Sequence, residues 1–307
     1  MELNNTNTIE KKSLSSRLFS IKLMPYFFVS PFIIVFLLFF LYPMISAFIM
    51  SFQEIFGPED VKWVGLKNYK NLLNPHYYNA LRVSFSYTFL TIAILIPLPL
   101  ALAVLLNSRL TFARNFFRSA FFIPALTSVI VAGMFFRYAF SEQPTALFNS
   151  IFSIIGIKPV KWLQGKHTGM FALVILCTWR WLGVNILYFL AGLQGIGSEL
   201  YEAAKIDGAN SLQSFKNITI PSLKPVIIYV ITISVYGGFS MFAETYAYWT
   251  SRSPGDIGLT LVSYIYSSGF NNNEFGFAAA IGITLVLIIF LVNIIQLKFF
   301  GFFSKEQ

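Results

Sequence analysis

Few residues in this 307-residue chain have side chains suited to acting on a substrate, and their spacing limits the chemistry available to them. The single cysteine, Cys177, lies in an apolar run with no Cys or His at ligand spacing, so it forms no internal disulfide and marks no metal site. His76 and His167 stand in polar segments far apart in sequence, a pattern that fits solvated histidines better than a catalytic pair. No Gly-x-x-x-x-Gly-Lys-Ser/Thr loop occurs, so the chain cannot hydrolyse ATP by phosphate-loop chemistry. What remains is a set of polar and aromatic residues inside long apolar runs. Trp181, Asn185 and Tyr188 recur at helical spacing in one run; Tyr229, Thr232 or Ile233, Tyr236, Ser240 and Glu244 form one face of another. Rings beside amide, hydroxyl and carboxylate groups suit a sugar, whose C–H faces pack on rings while its hydroxyls need directional partners. The competing reading places Tyr and Trp in interfacial belts and uses Ser and Asn to pin helix to helix.

The elements that must position these groups are membrane spans. Hydrophobic residues make up 56% of the chain and charged residues 11%, where a soluble surface needs about 25% charge. The net charge of +9 is spread through short segments between apolar runs, which argues against a nucleic-acid face. A bilayer core of about 30 Å needs about 20 apolar residues in helical form. That criterion predicts six spans, near Tyr26 to Met50, Val83 to Leu106, Phe116 to Tyr138, Met170 to Leu193, Pro225 to Ala247 and Phe277 to Lys298. Arg180 and Glu244 are then the two clearly intramembrane charges and are candidates to pair across two spans. Gly237 and Gly238 allow either close helix contact or a bend.

The predicted organisation is an N-terminal tail over 1–25, a first helix over 26–50 retained as an anchor, an outer loop over 51–82, a core over 83–298 and a tail over 299–307. Lys11, Lys12, Arg17 and Lys22 in the tail, with Arg109 and Arg114 in the turn from Asn107 to Asn115, predict that both termini face the cytoplasm. The segment 194–224 then faces the cytoplasm too.

That segment holds the longest polar, helix-forming interruption, "YEAAKIDGANSLQSFKNITIPSLKP". Ser198 predicts an N-cap, Glu199 and Glu202 suit the positive end of the helix dipole, and Gly208 predicts a left-handed stop. A second helix is expected to start at Asn210, with Gln213 completing a capping box, and to stop near Pro221. Helices shorter than about 12 residues are marginal in water and must be held by packing. An interfacial anchor carries large apolar residues opposite Lys or Arg. The first helix is instead acidic and Ala-rich, which favours docking to another protein, whereas the second, with Leu212, Phe215 and Ile218 opposite Lys216, fits a membrane-surface role better.

The same residues resemble the cytoplasmic EAA motif of ABC-importer permeases: Glu202, Ala203, Ala204, Asp207, Gly208, Ala209, Phe215, Ile218, Pro221 and Pro225 all fit it. "WVGLKNYKNLL", "FRSAFFIPALTSVIVAGMFFR" and "WRWLGVNILYFLAGLQGI" look like further landmarks of the sugar-importing, MalF-like or UgpA-like branch, and "YFLAGLQ", "YEAAKIDGAN" and "SPGDIGLTLVSYIYSSG" look closest to arabino-oligosaccharide permeases of Gram-positive bacteria. The resemblance implies an all-α membrane protein with the ABC type I importer transmembrane fold. It implies a coupling helix from about Leu200 to Ala209, with Glu202, Ala203, Ala204, Asp207, Gly208 and Ala209 meeting a separate ATPase. The implied partners are a second, homologous permease, two cytoplasmic ATPase subunits that bind ATP and Mg, and an extracellular sugar-binding protein. The chain itself is then not an enzyme and carries no cofactor. The candidate substrate pathway is Trp181, Asn185, Tyr188, Tyr236, Ser240 and Glu244.

The rival from another class is a secondary transporter or channel acting alone, which predicts inverted repeats or midplane ionisable pairs. The sequence shows no clear repeat. A membrane enzyme fits less well, because no His, Asp, Glu, Ser or Cys constellation sits together in the spans.

Overall fold

The computed structural model describes residues 24–55, 60–108, 113–250 and 252–301. The expectations for Lys11, Lys12, Arg17 and Lys22, for Arg109 and for the tail after 301 fall outside these residues.

Among the described residues, five helices are long and apolar enough to cross a membrane: α1 (Met24–Met50), α3 (Pro75–Asn107), α7 (Lys166–Gln194), the segment Lys224–Trp249, and α13 (Phe275–Phe299). The third expected span is not one straight helix. It is a pair, α4 (Arg114–Leu126) and α5 (Val129–Ala139), bent by 97°. Pro124 lies in a tight 3-10 turn and Thr127 is extended, so the helical ladder ends there despite the apolar composition on both sides. Counting that pair as one span restores six.

The connections also carry structure. Between α1 and α3 lie a short antiparallel hairpin, β1 (Gln53–Ile55) with β2 (Val61–Trp63), and α2 (Lys67–Asn71). α3 begins well before Val83, because Asn74 accepts from the Tyr77 amide and Pro75 fits the first turn of a helix. The expected loop 51–82 is therefore partly helix. α6 (Leu147–Ser153) precedes α7. α8 (Ser198–Ile206) and α9 (residues 211–222) form the polar interruption. The fifth span is α10 (Lys224–Phe239) followed by α11 (Ala243–Trp249), and α12 (residues 261–271) leads to α13.

Three apolar clusters hold these helices. One gathers Phe140, Trp162, Leu173 and Tyr248, another Leu72, Phe239, Leu261 and Ile281, and the third Leu106, Phe189, Leu193 and Leu223. The Gly183 backbone lies against the carbonyl of Phe121, where a methyl group would collide with α4. The two glycines of α10 divide their roles: Gly238 packs closely on Thr88 of α3, while Gly237 faces open space. α1 contributes no buried residue to the chain; its exposed rings Phe32, Phe36 and Phe40 stack along one face.

Candidate functional site

The polar interruption folds as two short helices separated by a left-handed turn. Gly208 adopts φ +79°, a conformation that L side chains rarely take, and ends α8 as expected. Asn210 caps α9 through the reciprocal box with Gln213: Asn210 Oδ1 accepts from the Gln213 amide at 2.9 Å, and Gln213 Oε1 accepts from the Asn210 amide at 2.7 Å.

One expectation needs correction. The cap of α8 is Gly197, in extended conformation, so Ser198 is the first helical residue and makes no capping hydrogen bond. α9 ends at Ser222, next to Pro221, as expected. The residues Phe215–Thr219 form a π-helical turn in which the Ile220 amide reaches the Phe215 carbonyl, and this shift of register precedes the proline that has no amide to donate.

No residue of α8 is buried. Glu202, Ala203, Asp207 and Gly208 are exposed, and Ala204 and Ala209 are half-buried. Around the acidic groups stand large apolar side chains, with Ile206 87% exposed and Leu212 74% exposed. One tie fixes α8 to α9, the hydrogen bond between the Tyr201 hydroxyl and Thr219 Oγ1 at 2.9 Å. That brace was not read from the sequence; the only signal for it was one tyrosine and one threonine on neighbouring short helices. An exposed helix of this length is too short to persist in water alone. It presents a surface of small, acidic and apolar groups to whatever holds it.

The residues proposed for a pathway separate into two groups. Tyr236 is 63% exposed, and Tyr229, one face along on α10, meets Tyr188 edge to face at 5.3 Å between centroids. Trp181 is exposed on α7 and lies near the Arg180 guanidinium. These rings share an open face of α7 and α10. Asn185 does not join them. It is buried, and its Nδ2 donates at 3.0 Å to the Leu95 carbonyl. In a regular helix that carbonyl would accept from residue 99, but residue 99 is proline. The amide therefore repairs the kink of α3 and pins it to α7.

Ser240 is half-buried at the end of α10. Glu244 opens the first turn of α11, and its Oε1 lies 3.2 Å from Arg180 Nη1, with both side chains largely shielded. The two intramembrane charges therefore pair, as the sequence left open.

Spans of this number, in this arrangement, define a multi-pass membrane protein with the transmembrane fold of an importer permease. A solved structure described as a bacterial ABC transporter involved in the import of the acidic polysaccharide alginate superposes with a TM-score of 0.78 at 22% identity, covering 92% of this chain and 96% of that one. Residues 93–299 match the binding-protein-dependent transport system inner membrane components, and the chain belongs to that family. Among its relatives is an arabinooligosaccharides transport system permease protein, AraP, of Bacillus subtilis, 56% identical over 94% of this chain and 92% of that protein. An AraP of Halalkalibacterium halodurans is 52% identical over 95% of this chain and 93% of that protein.

Proposed function

We propose that this chain is one permease subunit of an ATP-driven, binding-protein-dependent importer that moves arabino-oligosaccharides across the cytoplasmic membrane. The observation that carries the proposal is α8: a nine-residue helix with no buried residue, stopped by Gly208, that carries the EAA pattern at the end of the long helices. Its partner is an ATPase, and a second permease, a second ATPase and an external sugar-binding protein complete the assembly. Both termini and the loop 194–224 face the cytoplasm. ATP and Mg bind in the ATPases, and this chain performs no catalysis.

Glu202, Ala203, Ala204, Asp207, Gly208 and Ala209 form the docking surface. Closure of the ATPases moves α8, and α9 passes that motion into α10 because the two are separated only by Leu223. The open face with Trp181, Tyr188 and Tyr236 then turns between outward and inward access, and a ligand shifts that balance only by binding one state better. The choice of sugar rests on the high identity to the AraP proteins.

The test is uptake of labelled arabinotriose in cells that express this chain with its partner subunits. Glu202→Gln and Gly208→Val are expected to abolish ATP-dependent uptake while the chain still inserts in the membrane. Normal uptake and normal recovery of the ATPase with both variants would overturn the docking role. Uptake that persists without any ATPase would favour a stand-alone transporter.

A further inference from the structure

A cavity walled by aromatic and polar side chains lies at the opposite end of the long helices from α8. It has a volume of about 320 Å³ and sits between α11, α12 and the chain that joins them. None of Trp181, Tyr188 or Tyr236 lines it. We propose that this cavity is a receiving site for one end of an uncharged oligosaccharide, separate from the open face of α7 and α10. The inference rests on the sugar-import reading above.

Three observations carry it. The first is an unsatisfied hydroxyl. Ser268 is 1% exposed, lines the cavity, and its Oγ has no hydrogen-bond partner. A buried polar atom normally finds one, so an orphan at a cavity wall points to a group that enters from the cavity. The second is the backbone that carries it. Ser267–Asn271 is a π-helical turn, a distortion frequent at functional positions, and it places Ser268 and Asn271 on the same wall.

The third is the make-up of the remaining wall. Tyr246 and Tyr266 meet at 6.1 Å between centroids, and Phe242 backs both at 5.6 and 5.0 Å. Trp249 is held beside them: its Nε1 donates to the Leu163 carbonyl at 2.9 Å, and Gly258 leaves room for its ring. A rigid aromatic floor with a few directional polar groups is how a site binds a molecule with C–H faces and hydroxyls.

The charges at the rim select against an anion. Arg252 gives two hydrogen bonds to Asp256, at 2.6 and 2.9 Å, and His76 Nδ1 lies 2.6 Å from the same carboxylate. Glu274 adds a negative group to the lining. No surplus positive charge faces the cavity. Its size, at the low end of the roughly 300–1,000 Å³ range of small-molecule sites, suits the terminal part of a chain rather than the whole of it.

The experiment uses the full chain in lipid nanodiscs, titrated with arabinotriose, maltotriose, xylotriose and, as the acidic counterpart, trigalacturonate. Saturable binding of a neutral trisaccharide in preference to trigalacturonate is expected. Tyr266→Ala should weaken it about tenfold and Tyr266→Phe should leave it near wild type, since the ring face supplies the contact. Ser268→Ala should weaken it about fivefold without lowering the melting temperature. Unchanged affinity in Ser268→Ala would overturn its role, whatever the melting temperature does. Neutral sugar that binds equally well to Tyr266→Ala and Ser268→Ala, or no trisaccharide binding to the wild-type chain, would overturn the site. Neither result touches the import reading, which is decided by uptake in cells. Binding of maltotriose but not arabinotriose, lost in Tyr266→Ala, would uphold the site and overturn the arabino-oligosaccharide assignment.

Discussion

The two ends of the helix bundle are finished differently. At the far end every connection is tied to its neighbours. Asp256 accepts from Arg252 and meets His76, Asn79 Nδ2 donates to the Asp256 carbonyl, and Asn149 bridges three carbonyls while it accepts from the Trp162 indole. At the other end, among the described residues, α8 is held by one side-chain hydrogen bond and buries nothing. The difference teaches that the far end keeps a shape by itself, whereas the end at α8, on the docking role proposed above, receives one from a partner. Substitutions in the tied parts should therefore appear as lost stability of the isolated chain, and substitutions in α8 as lost association.

The largest effect is expected inside the bundle, at the shielded pair. Arg180→Ala or Glu244→Ala leaves one charge without its partner and should destabilise the detergent-solubilised chain by about 3–5 kcal/mol, whereas removing both should cost much less than the sum. Thermal unfolding of the two single variants and the double variant checks this. Asn185→Ala strands the Leu95 carbonyl in the interior and should cost about 1–3 kcal/mol, read in the same way.

The rim of the far end gives a dependence on pH. Hydrogen bonds from Arg252, and secondarily from His76, hold the Asp256 carboxyl below the usual carboxylate range. A depressed acid contributes stability above its unfolded value of about 3.9 and loses it as pH falls toward the folded value. Wild type should therefore lose melting temperature on acidification below about pH 4, and Asp256→Asn should flatten that limb of the profile. The smallest effect on stability is expected at α8. Glu202→Gln should change the melting temperature of the isolated chain by less than the equivalent of about 0.5 kcal/mol, yet reduce recovery of the ATPase on affinity purification. A large loss of stability in that variant would erase the contrast between the ends.

The spans were legible in the sequence because hydropathy reports directly on the medium that surrounds them. The bend between α4 and α5 was not, since Pro124, Thr127 and Ser128 interrupt the helix without interrupting the apolar run. The early start of α3 was missed for the opposite reason: its first turns hold polar residues such as His76 and Asn79, whose partner, Asp256, belongs to another segment. Capping chemistry is local, so the Gly208 stop and the Asn210 box could be read from a few residues. The fate of Asn185 could not, because it depends on Pro99 in another helix. Polarity placed Asn185 among the pathway residues, but only the fold shows that its amide is already used.

The exposed surface of α8 also bears on how the cell treats a subunit that has not yet been assembled. Until a partner covers it, the newly inserted chain displays Leu200, Ile206 and Leu212 beside a short helix that frays readily. Chaperones and proteases recognise such features, so on the docking role proposed above the same helix also marks the unassembled copy. Excess chain made without its partner should turn over faster than assembled chain, which would keep the subunits in balance without separate regulation of their synthesis.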